Sequence, residues 1–140
     1  MAQIPPRARL GARALSIRLR LGRMLARRPL PEVLGALDPR PPARPVPLDT
    51  ALVALGDAQR VITGLGRIPD TCLYRSLARY AILRHAGHPA RFVMGLRPSE
   101  PEIVGHAWVE LDGRPVGEPP SPGIVVTFSY PDRDPPGSQA

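Results

Sequence analysis

Proline divides this chain into short segments, because its ring fixes the backbone, removes a hydrogen-bond donor and ends helices and inner strands. There are 20 prolines among the 140 residues. Five of them lie within residues 38–47, which predicts an extended linker without secondary structure. Pro29 and Pro31 end the segment before this linker, and Pro69 interrupts the segment after it. The chain is therefore expected to fold as several short elements.

Apolar residues recur at helical spacing in the segments between these breaks. Residues 7–28 predict a first helix with arginine on its remaining faces, and its apolar stripe is Leu10, Ala14, Ile17, Leu21 and Leu25. Residues 32–37 predict a short second helix. A third is expected to start at a cap on Asp49 or Thr50 and to reach about Leu65. Its inward-facing side chains are predicted to be Leu52, Val53, Leu55, Ala58, Val61, Ile62 and Leu65.

A fourth helix is predicted from Cys72 to about Ala86, with Gly87 as its C-terminal cap, and it should be mostly buried. Strand character follows in four stretches, at residues 89–97, 102–111, 114–118 and 124–130. This order, helices first and a small antiparallel sheet after them, predicts the α+β class.

The length supports one domain with a core but not two. We expect a basic helical segment with the Pro-rich linker over residues 1–47, a globular domain over 48–130, and a disordered tail over 131–140. The segment from residue 10 to 25 is interrupted by arginine and glycine, so it does not resemble a signal peptide. No apolar stretch approaches the ~20 residues that cross a bilayer. A soluble protein is predicted.

Positive charge is concentrated at the N-terminus. The net charge is +7, and residues 1–44 contain ten arginines against Glu32 and Asp38 alone, whereas the rest of the chain is close to neutral. The arginines of the first helix have three interpretations: a solvated face of a helix packed on the domain, a docking surface for an acidic peptide or partner protein, or a surface for nucleic acid or anionic membrane. The low aromatic content, 4%, disfavours nucleic acid because few side chains could stack on bases.

Cys72 is the only cysteine, which excludes an internal disulfide and favours a reducing cytoplasm. It is predicted to lie where a loop turns into the fourth helix. The unpaired N–H groups and positive dipole of a helix N-terminus favour the thiolate, which is the nucleophilic form. His106 follows on a predicted strand. A cysteine at a helix start followed by a strand histidine is the chain order of a papain-like nucleophile and base.

A third group is needed to orient the histidine and stabilise its imidazolium. The acidic candidates are Glu110, Asp112, Glu118, Asp132 and Asp134. A three-residue hairpin loop at 111–113 would place His106 opposite Glu118, whereas a two-residue Asp112-Gly113 turn would pair residue 106 with 119 and turn Glu118 to the other face. The sequence allows both registers. Asp112 would lie roughly 15 Å from His106, too far to orient it.

Four stretches together resemble the lasso-peptide leader peptidases, which are transglutaminase-like cysteine proteases. They are Cys72-Leu73-Tyr74-Arg75-Ser76-Leu77, Leu83-Arg84-His85-Ala86-Gly87, Phe92-Val93-Met94-Gly95-Leu96-Arg97 and His106-Ala107-Trp108-Val109-Glu110-Leu111-Asp112-Gly113. The resemblance covers about residues 48–119. It implies a papain- or transglutaminase-like fold in which Cys72 is the nucleophile and His106 the base. Glu118 stands where the family has its acid, usually aspartate, so its longer side chain must fold back to reach the ring.

The resemblance further implies a cytoplasmic hydrolase that removes the leader from a ribosomally made precursor peptide before macrolactam closure. No stretch of the chain resembles the leader-binding domain, so it predicts the split form, with a separate leader-recognition protein as partner. The ATP-dependent cyclase is a further expected partner. No cofactor, metal or nucleic acid is expected.

Two other functions compete with a peptidase. An acyl transferase would resolve the same thioester with an amine instead of water, and a non-catalytic basic adaptor would bind peptide or RNA without using Cys72.

Other side chains near the motifs have structural interpretations. His85 and His88 are expected at the helix end and away from catalysis, and Glu110 as a hydrogen-bond partner. Trp108 could pack in the core or line the site, and Arg75 could orient a carboxylate or be solvated.

Overall fold

The computed structural model describes residues 3–40, 42, 44–98, 102–118 and 122–131. Four helices come first: α1 Pro6–Arg27, α2 Leu30–Leu37, α3 Leu48–Leu65 and α4 Cys72–His85. Four strands follow: β1 Arg91–Pro98, β2 Ile103–Leu111, β3 Arg114–Pro115 and β4 Val125–Tyr130. The strands form one antiparallel sheet in the order β3-β2-β1-β4. The α+β prediction is confirmed.

The α1 helix packs along α3 through small side chains. The buried residues of α3 are Ala51, Ala54, Ala58 and Ile62. A Cβ at Gly11 of α1 would lie 3.6 Å from the Ala54 carbonyl oxygen, so the two backbones approach closely. The predicted inward face of α3 was therefore partly wrong, because close packing selects alanine over larger residues. Three of the predicted residues are exposed instead, namely Val53, Val61 and Leu65.

The ends of α3 and α4 are set by different residue types. Pro47 precedes α3 without a side-chain cap, so the predicted cap at Asp49 or Thr50 was wrong, and both residues lie in the first turn. Gly66 ends α3 with a left-handed φ of 72°. Thr71 caps α4, where its hydroxyl accepts from the Tyr74 backbone N–H at 3.4 Å.

The central helix α4 is the most buried of the described helices. It contacts α1, α2, α3 and the sheet. Its buried residues are Ser76, Leu77, Ala78, Tyr80, Ala81, Ile82 and Leu83. The burial of α4 agrees with the prediction, and it fixes the helix that carries Cys72 at its first residue.

The β2–β3 hairpin adopts the two-residue register. Leu111 pairs with Arg114 and Glu110 with Pro115, around Asp112 and Gly113 with φ of 52° and 78°. The alternative with a three-residue loop is wrong. However, β3 ends after Pro115, and Gly117 has a left-handed φ of 78°. The chain therefore turns out of the ladder just before Glu118, so strand alternation no longer decides which way that side chain points.

The described part of the linker, residues 38–40, 42 and 44–47, contains neither helix nor strand, as predicted. Val46 is nevertheless buried, and its N–H donates to the Ala86 carbonyl at 2.8 Å. Helices on both sides of the linker share one core. The division at residue 47 remains a prediction, and the predicted tail lies outside the described residues from residue 132 onward. Among the described residues, no helix has the length and hydropathy of a membrane span.

Candidate active site

Cys72 is the first residue of α4, directly after the Thr71 cap. Its side chain is half-buried, packs against the edge of the core and is a free thiol. The first backbone N–H groups of a helix have no partner within the helix, and together with the helix dipole they favour a negative charge on Sγ. The sequence placed Cys72 correctly at this helix end.

His106 lies on β2, where one face of the strand forms a stack of side chains. The rings of His106 and Trp108 are stacked with centroids 5.6 Å apart and planes 19° apart. The indole N–H of Trp108 donates to Glu110 Oε2 at 3.0 Å, and both residues are buried. Trp108 thus packs against one face of the imidazole ring, and its own position is fixed by the hydrogen bond to Glu110. Trp108 therefore packs in the core and also lines the candidate site, because it is buried and stacks on the imidazole ring.

Gly95 lies opposite His106 in the β1–β2 ladder. A Cβ at this position would lie 2.8 Å from the Val125 carbonyl oxygen and 3.2 Å from the Trp108 ring, and it would overlap the Ile124 side chain. The register of β1 with β4 also shifts between Met94 and Gly95. The missing side chain at Gly95 therefore makes room for the tryptophan that packs on the histidine.

Glu118 contacts His106 directly. Its Oε2 lies 2.6 Å from His106 Nε2, and both side chains are about three-quarters buried, with 25% and 28% of their surfaces exposed. A carboxylate accepts from a ring N–H, so in the tautomer that makes this hydrogen bond the proton is on Nε2, and Nδ1 is the second functional nitrogen. The other oxygen, Oε1, lies 3.8 Å from Arg79 Nη1 of α4. Glu118 thus joins the histidine strand to the cysteine helix.

A second contact joins α4 to β2. The buried Ser76 hydroxyl donates to the Ala107 carbonyl at 2.9 Å. Ser76 lies one turn after Cys72 on the same helix face, and Ala107 is the residue after His106. The structure therefore places the two elements in fixed register. Among the described residues, the Cys72 thiol makes no hydrogen bond, so its pairing with His106 remains a prediction.

The loop before Cys72 is held by a polar network that the sequence reasoning missed. Arg18 of α1 is only 4% exposed, and its guanidinium donates to Gln59, to the Pro69 carbonyl and to Asp70 at 2.8–3.0 Å. Arg75 also donates to the Asp70 carbonyl, at 3.0 Å. The only sequence signal was an arginine at position 18 beside the apolar stripe residue Ile17. The network ties α1, α3 and the start of α4 together.

This network changes the ionisation of Asp70. Partial burial alone raises the pKa of the Asp70 carboxyl, but hydrogen bonds from Arg18 and Gln59 outweigh it, and the pKa is lowered from its ordinary value. Asp70 therefore stays ionised well into acid, one residue before the Thr71 cap and two before Cys72. A fixed negative charge at the loop offsets the buried Arg18 cation.

The remaining candidates lie elsewhere. Asp112 is at the hairpin turn, and Asp132 and Asp134 lie outside the described residues. His85 and His88 lie at the opposite end of α4 from Cys72, and His88 Nε2 is 2.7 Å from the Val46 carbonyl oxygen. Within the described ranges, no group of three His, Cys, Asp or Glu side chains could hold a metal ion.

A cysteine-bearing helix packed on an antiparallel sheet that carries His106 is the arrangement of transglutaminase- and papain-like folds. The family model of the transglutaminase-like superfamily matches residues 13–127, and the chain belongs to this superfamily. This membership supports cysteine peptidase or acyl-transfer activity in general terms. The match includes most of α1 and all of α2. Comparison with curated proteins and with solved structures gives no match.

Proposed function

We propose that the protein is a cysteine peptidase that uses Cys72, His106 and Glu118 to remove the leader from a lasso-peptide precursor. The observation that carries the proposal is the 2.6 Å contact between His106 Nε2 and Glu118 Oε2, beside the helix that begins with Cys72. A carboxylate on one ring nitrogen leaves the other nitrogen to exchange protons with the nucleophile and the substrate.

Acylation begins when Cys72 transfers its thiol proton to His106 Nδ1 and the resulting thiolate attacks the carbonyl carbon at the leader–core junction. A C–S bond forms, and the carbonyl electron pair moves onto oxygen, where the backbone N–H of Cys72 stabilises it. As this intermediate collapses, the C–N bond breaks. His106 donates its Nδ1 proton to the departing amine, which becomes the free N-terminus of the core.

Deacylation uses the same groups in reverse. The neutral Nδ1 of His106 accepts a proton from water, and the resulting hydroxide attacks the thioester carbonyl. The C–S bond then breaks, His106 returns its Nδ1 proton to the departing sulfur to restore the thiol, and the leader leaves as a carboxylic acid that ionises in water. Glu118 stabilises the imidazolium that forms in each half-reaction, and it does not itself need to gain a proton.

The specific substrate class rests on the resemblance, and two structural features support it. The stretch His106-Ala107-Trp108-Val109-Glu110 places alternate residues on one strand face, where they form the stacked and hydrogen-bonded group described above. The second is that Glu118, although longer than aspartate, reaches the ring. We propose a separate leader-recognition protein and the lasso cyclase as partners.

The test is mass spectrometry of a candidate precursor peptide incubated with the protein, with and without the leader-recognition partner. Wild type should release a free core N-terminus, and Cys72→Ala should release none. Glu118→Gln should reduce kcat by about 100-fold, because the amide does not stabilise the imidazolium. Glu32→Gln, an exposed glutamate on α2, is the matched control and should cleave like wild type.

The outcomes separate the competing functions. A product crosslinked through an amine would identify an acyl transferase. Equal cleavage by wild type and Cys72→Ala would exclude the cysteine mechanism. If Cys72→Ala binds the peptide and supports its maturation in cells as well as wild type does, the protein is a non-catalytic adaptor.

A further inference from the structure

A cavity of about 270 Å³ lies beside the candidate active site, between α1, α3 and α4. Its polar lining consists of Arg18, Gln59, Arg75 and Arg79, with Gly117 at one side, and the rest is formed by small and aliphatic side chains. Its size is near the lower end of ligand pockets, which begin at about 300 Å³. None of its described lining residues is acidic.

The cavity carries more positive than negative charge. Three guanidinium groups line it, and two carboxylates outside the lining pair with them. Asp70 pairs with both Arg18 and Arg75, at 2.8 and 3.5 Å, and Glu118 lies 3.8 Å from Arg79. Glu118 is also the acceptor for His106, so it does not belong to Arg79 alone. One positive charge is therefore left without a carboxylate of its own.

One of these arginines is buried and a second is partly buried, and neither is fully compensated. Arg18 is 4% exposed, and its Nε–H is shielded from solvent with no hydrogen-bond acceptor in the described part of the chain. Arg79 is 21% exposed, and its guanidinium lies against Gly117, about 3 Å from where a Cβ would be. Burial lowers the pKa of Arg79, although Glu118 opposes this. Buried donors without acceptors are costly unless an anion satisfies them.

The position of the cavity relates it to the peptide bond that would be cleaved. Cys72, Arg75 and Arg79 follow one face of α4 at helical spacing. With a rise of 1.5 Å per residue, Arg79 lies about 10 Å along the helix from Cys72. An extended peptide advances about 3.3 Å per residue, so the cavity is within reach of a side chain about three residues from the scissile bond.

We propose that this cavity is a specificity subsite for an acidic side chain of the peptide substrate, held by Arg79 and Arg75. The proposal rests on the proposed peptidase function. A planar guanidinium binds a carboxylate through two parallel N–H donors, and the neutral Gln59 and aliphatic walls present no competing carboxylate. An aspartate or glutamate about three residues from the scissile bond would fix the position of the peptide along the enzyme, and so determine which peptide bond lies at Cys72.

Binding is tested on Cys72→Ala protein, so that turnover does not enter the measurement. Two peptides, acetyl-Gly-Glu-Gly-amide and acetyl-Gly-Gln-Gly-amide, are titrated at low ionic strength while the arginine Nε–H signals are followed by ¹⁵N NMR. The glutamate peptide should bind at least tenfold more tightly and shift the Arg79 signal. Arg79→Gln should then weaken its binding at least tenfold, since a charged hydrogen bond is lost.

Two controls address charge and folding. Arg67 is exposed and outside the cavity, and Arg67→Gln should leave the affinity within twofold. Gly56 lines the cavity, and a Cβ there meets nothing within 4 Å, so the first side-chain atom fits without rearrangement. Gly56→Glu should place a competing carboxylate there and weaken binding at least tenfold, whereas Gly56→Ala should not.

Equal affinity for the two peptides would overturn the proposal. So would equal losses in Arg67→Gln and Arg79→Gln, which would mean general attraction to a basic protein. If inorganic phosphate shifts the Arg79 signal and the glutamate peptide does not, the cavity binds a free anion and the proposal is wrong. Failure of the peptidase function would instead appear as intact precursor in the cleavage assay with these affinities unchanged.

Discussion

His106, Trp108 and Glu110 show how a spacing of two residues builds one side of the site. On a strand, alternate residues share a face, so the ring of Trp108 packs on the imidazole and its N–H reaches Glu110. The histidine is therefore restrained on its face by Trp108 and on its edge by Glu118. A ring held at two places is limited to the rotamer in which Nδ1 remains free, as the proposed proton transfers require.

A different histidine should control the stability of the fold in mild acid. Burial at the end of α4, reinforced by the Arg13 cation and opposed by Asp38, lowers the pKa of His85 to about 4. Between pH about 6.5 and 4, the unfolded chain binds a proton at this residue and the folded chain does not, so the free energy of unfolding falls as pH falls. His85 is only half-buried, so solvent screening reduces the effect to about 1–2 kcal/mol.

Urea denaturation at pH 7 and at pH 4.5 measures this effect. Wild type should lose more stability between the two conditions than His85→Gln, which has no group to titrate at that position. Equal losses in the two proteins would show that His85 is protonated in the folded state and that the pH dependence arises elsewhere.

At the scale of elements, the fold positions Cys72 and His106 by fixing α4 against β2. Ser76 makes the only side-chain hydrogen bond between these two elements in the described part of the chain.

Ser76→Ala should lower the free energy of unfolding by about 1 kcal/mol, and it should reduce kcat for precursor cleavage more than it raises KM, because the helix shifts relative to the histidine strand. Ser129→Ala, on β4, is the control. A change in stability with unaltered kcat would mean that Ser76 has only a structural role.

The sheet has no room for a side chain at Gly95, which lies close to the Trp108 ring. Gly95→Ala should lower the free energy of unfolding by about 2 kcal/mol, because the new methyl group meets Ile124, the Val125 backbone and the Trp108 ring. Gly105→Ala is the matched control, since the nearest atom to its Cβ would be 3.9 Å away. The check is the urea midpoint of each variant, and equal midpoints would mean that the strands at Gly95 move apart without cost.

The elements differ in how well the sequence predicts them. Hydrophobic periodicity and proline placed the four helices within about two residues. The same periodicity placed three exposed residues, Val53, Val61 and Leu65, on the inward face of α3, because it follows hydrophobicity whereas close packing against α1 depends on small size. The hairpin register was left open, and the contact between His106 and Glu118 arises in the register that strand alternation disfavoured. A left-handed glycine and a two-residue β3 produce it, and neither follows from side-chain pattern.

For the whole molecule, α1 belongs to the core that supports the site. Arg18 crosses from α1 to Gln59 and to the loop before Cys72, so it cannot be counted among the solvated arginines of that helix. Arg18→Ala should lower the free energy of unfolding by about 2 kcal/mol. Loss of a buried pair costs more than this, but Asp70 is one-third exposed and regains water.

The control for Arg18 is Arg20→Ala on the exposed side of the same helix, where the guanidinium donates to the Ser16 carbonyl of its own helix. Arg20→Ala should change the free energy of unfolding, measured by urea denaturation, by less than about 0.5 kcal/mol. If the two variants are equally stable, Arg18 does not hold α1 to the loop before Cys72.

The central claim is that Cys72 is activated by His106 and Glu118, and the single cysteine allows this to be measured without knowing the substrate. The measurement is the rate at which iodoacetamide alkylates Cys72 at pH 6.5, followed by intact mass. Folded wild type should react at least tenfold faster than the chain in 8 M urea and than folded His106→Gln, with Glu118→Gln in between. Equal rates in wild type, both folded variants and the unfolded chain would contradict the account, because the thiol would then react without help from either residue.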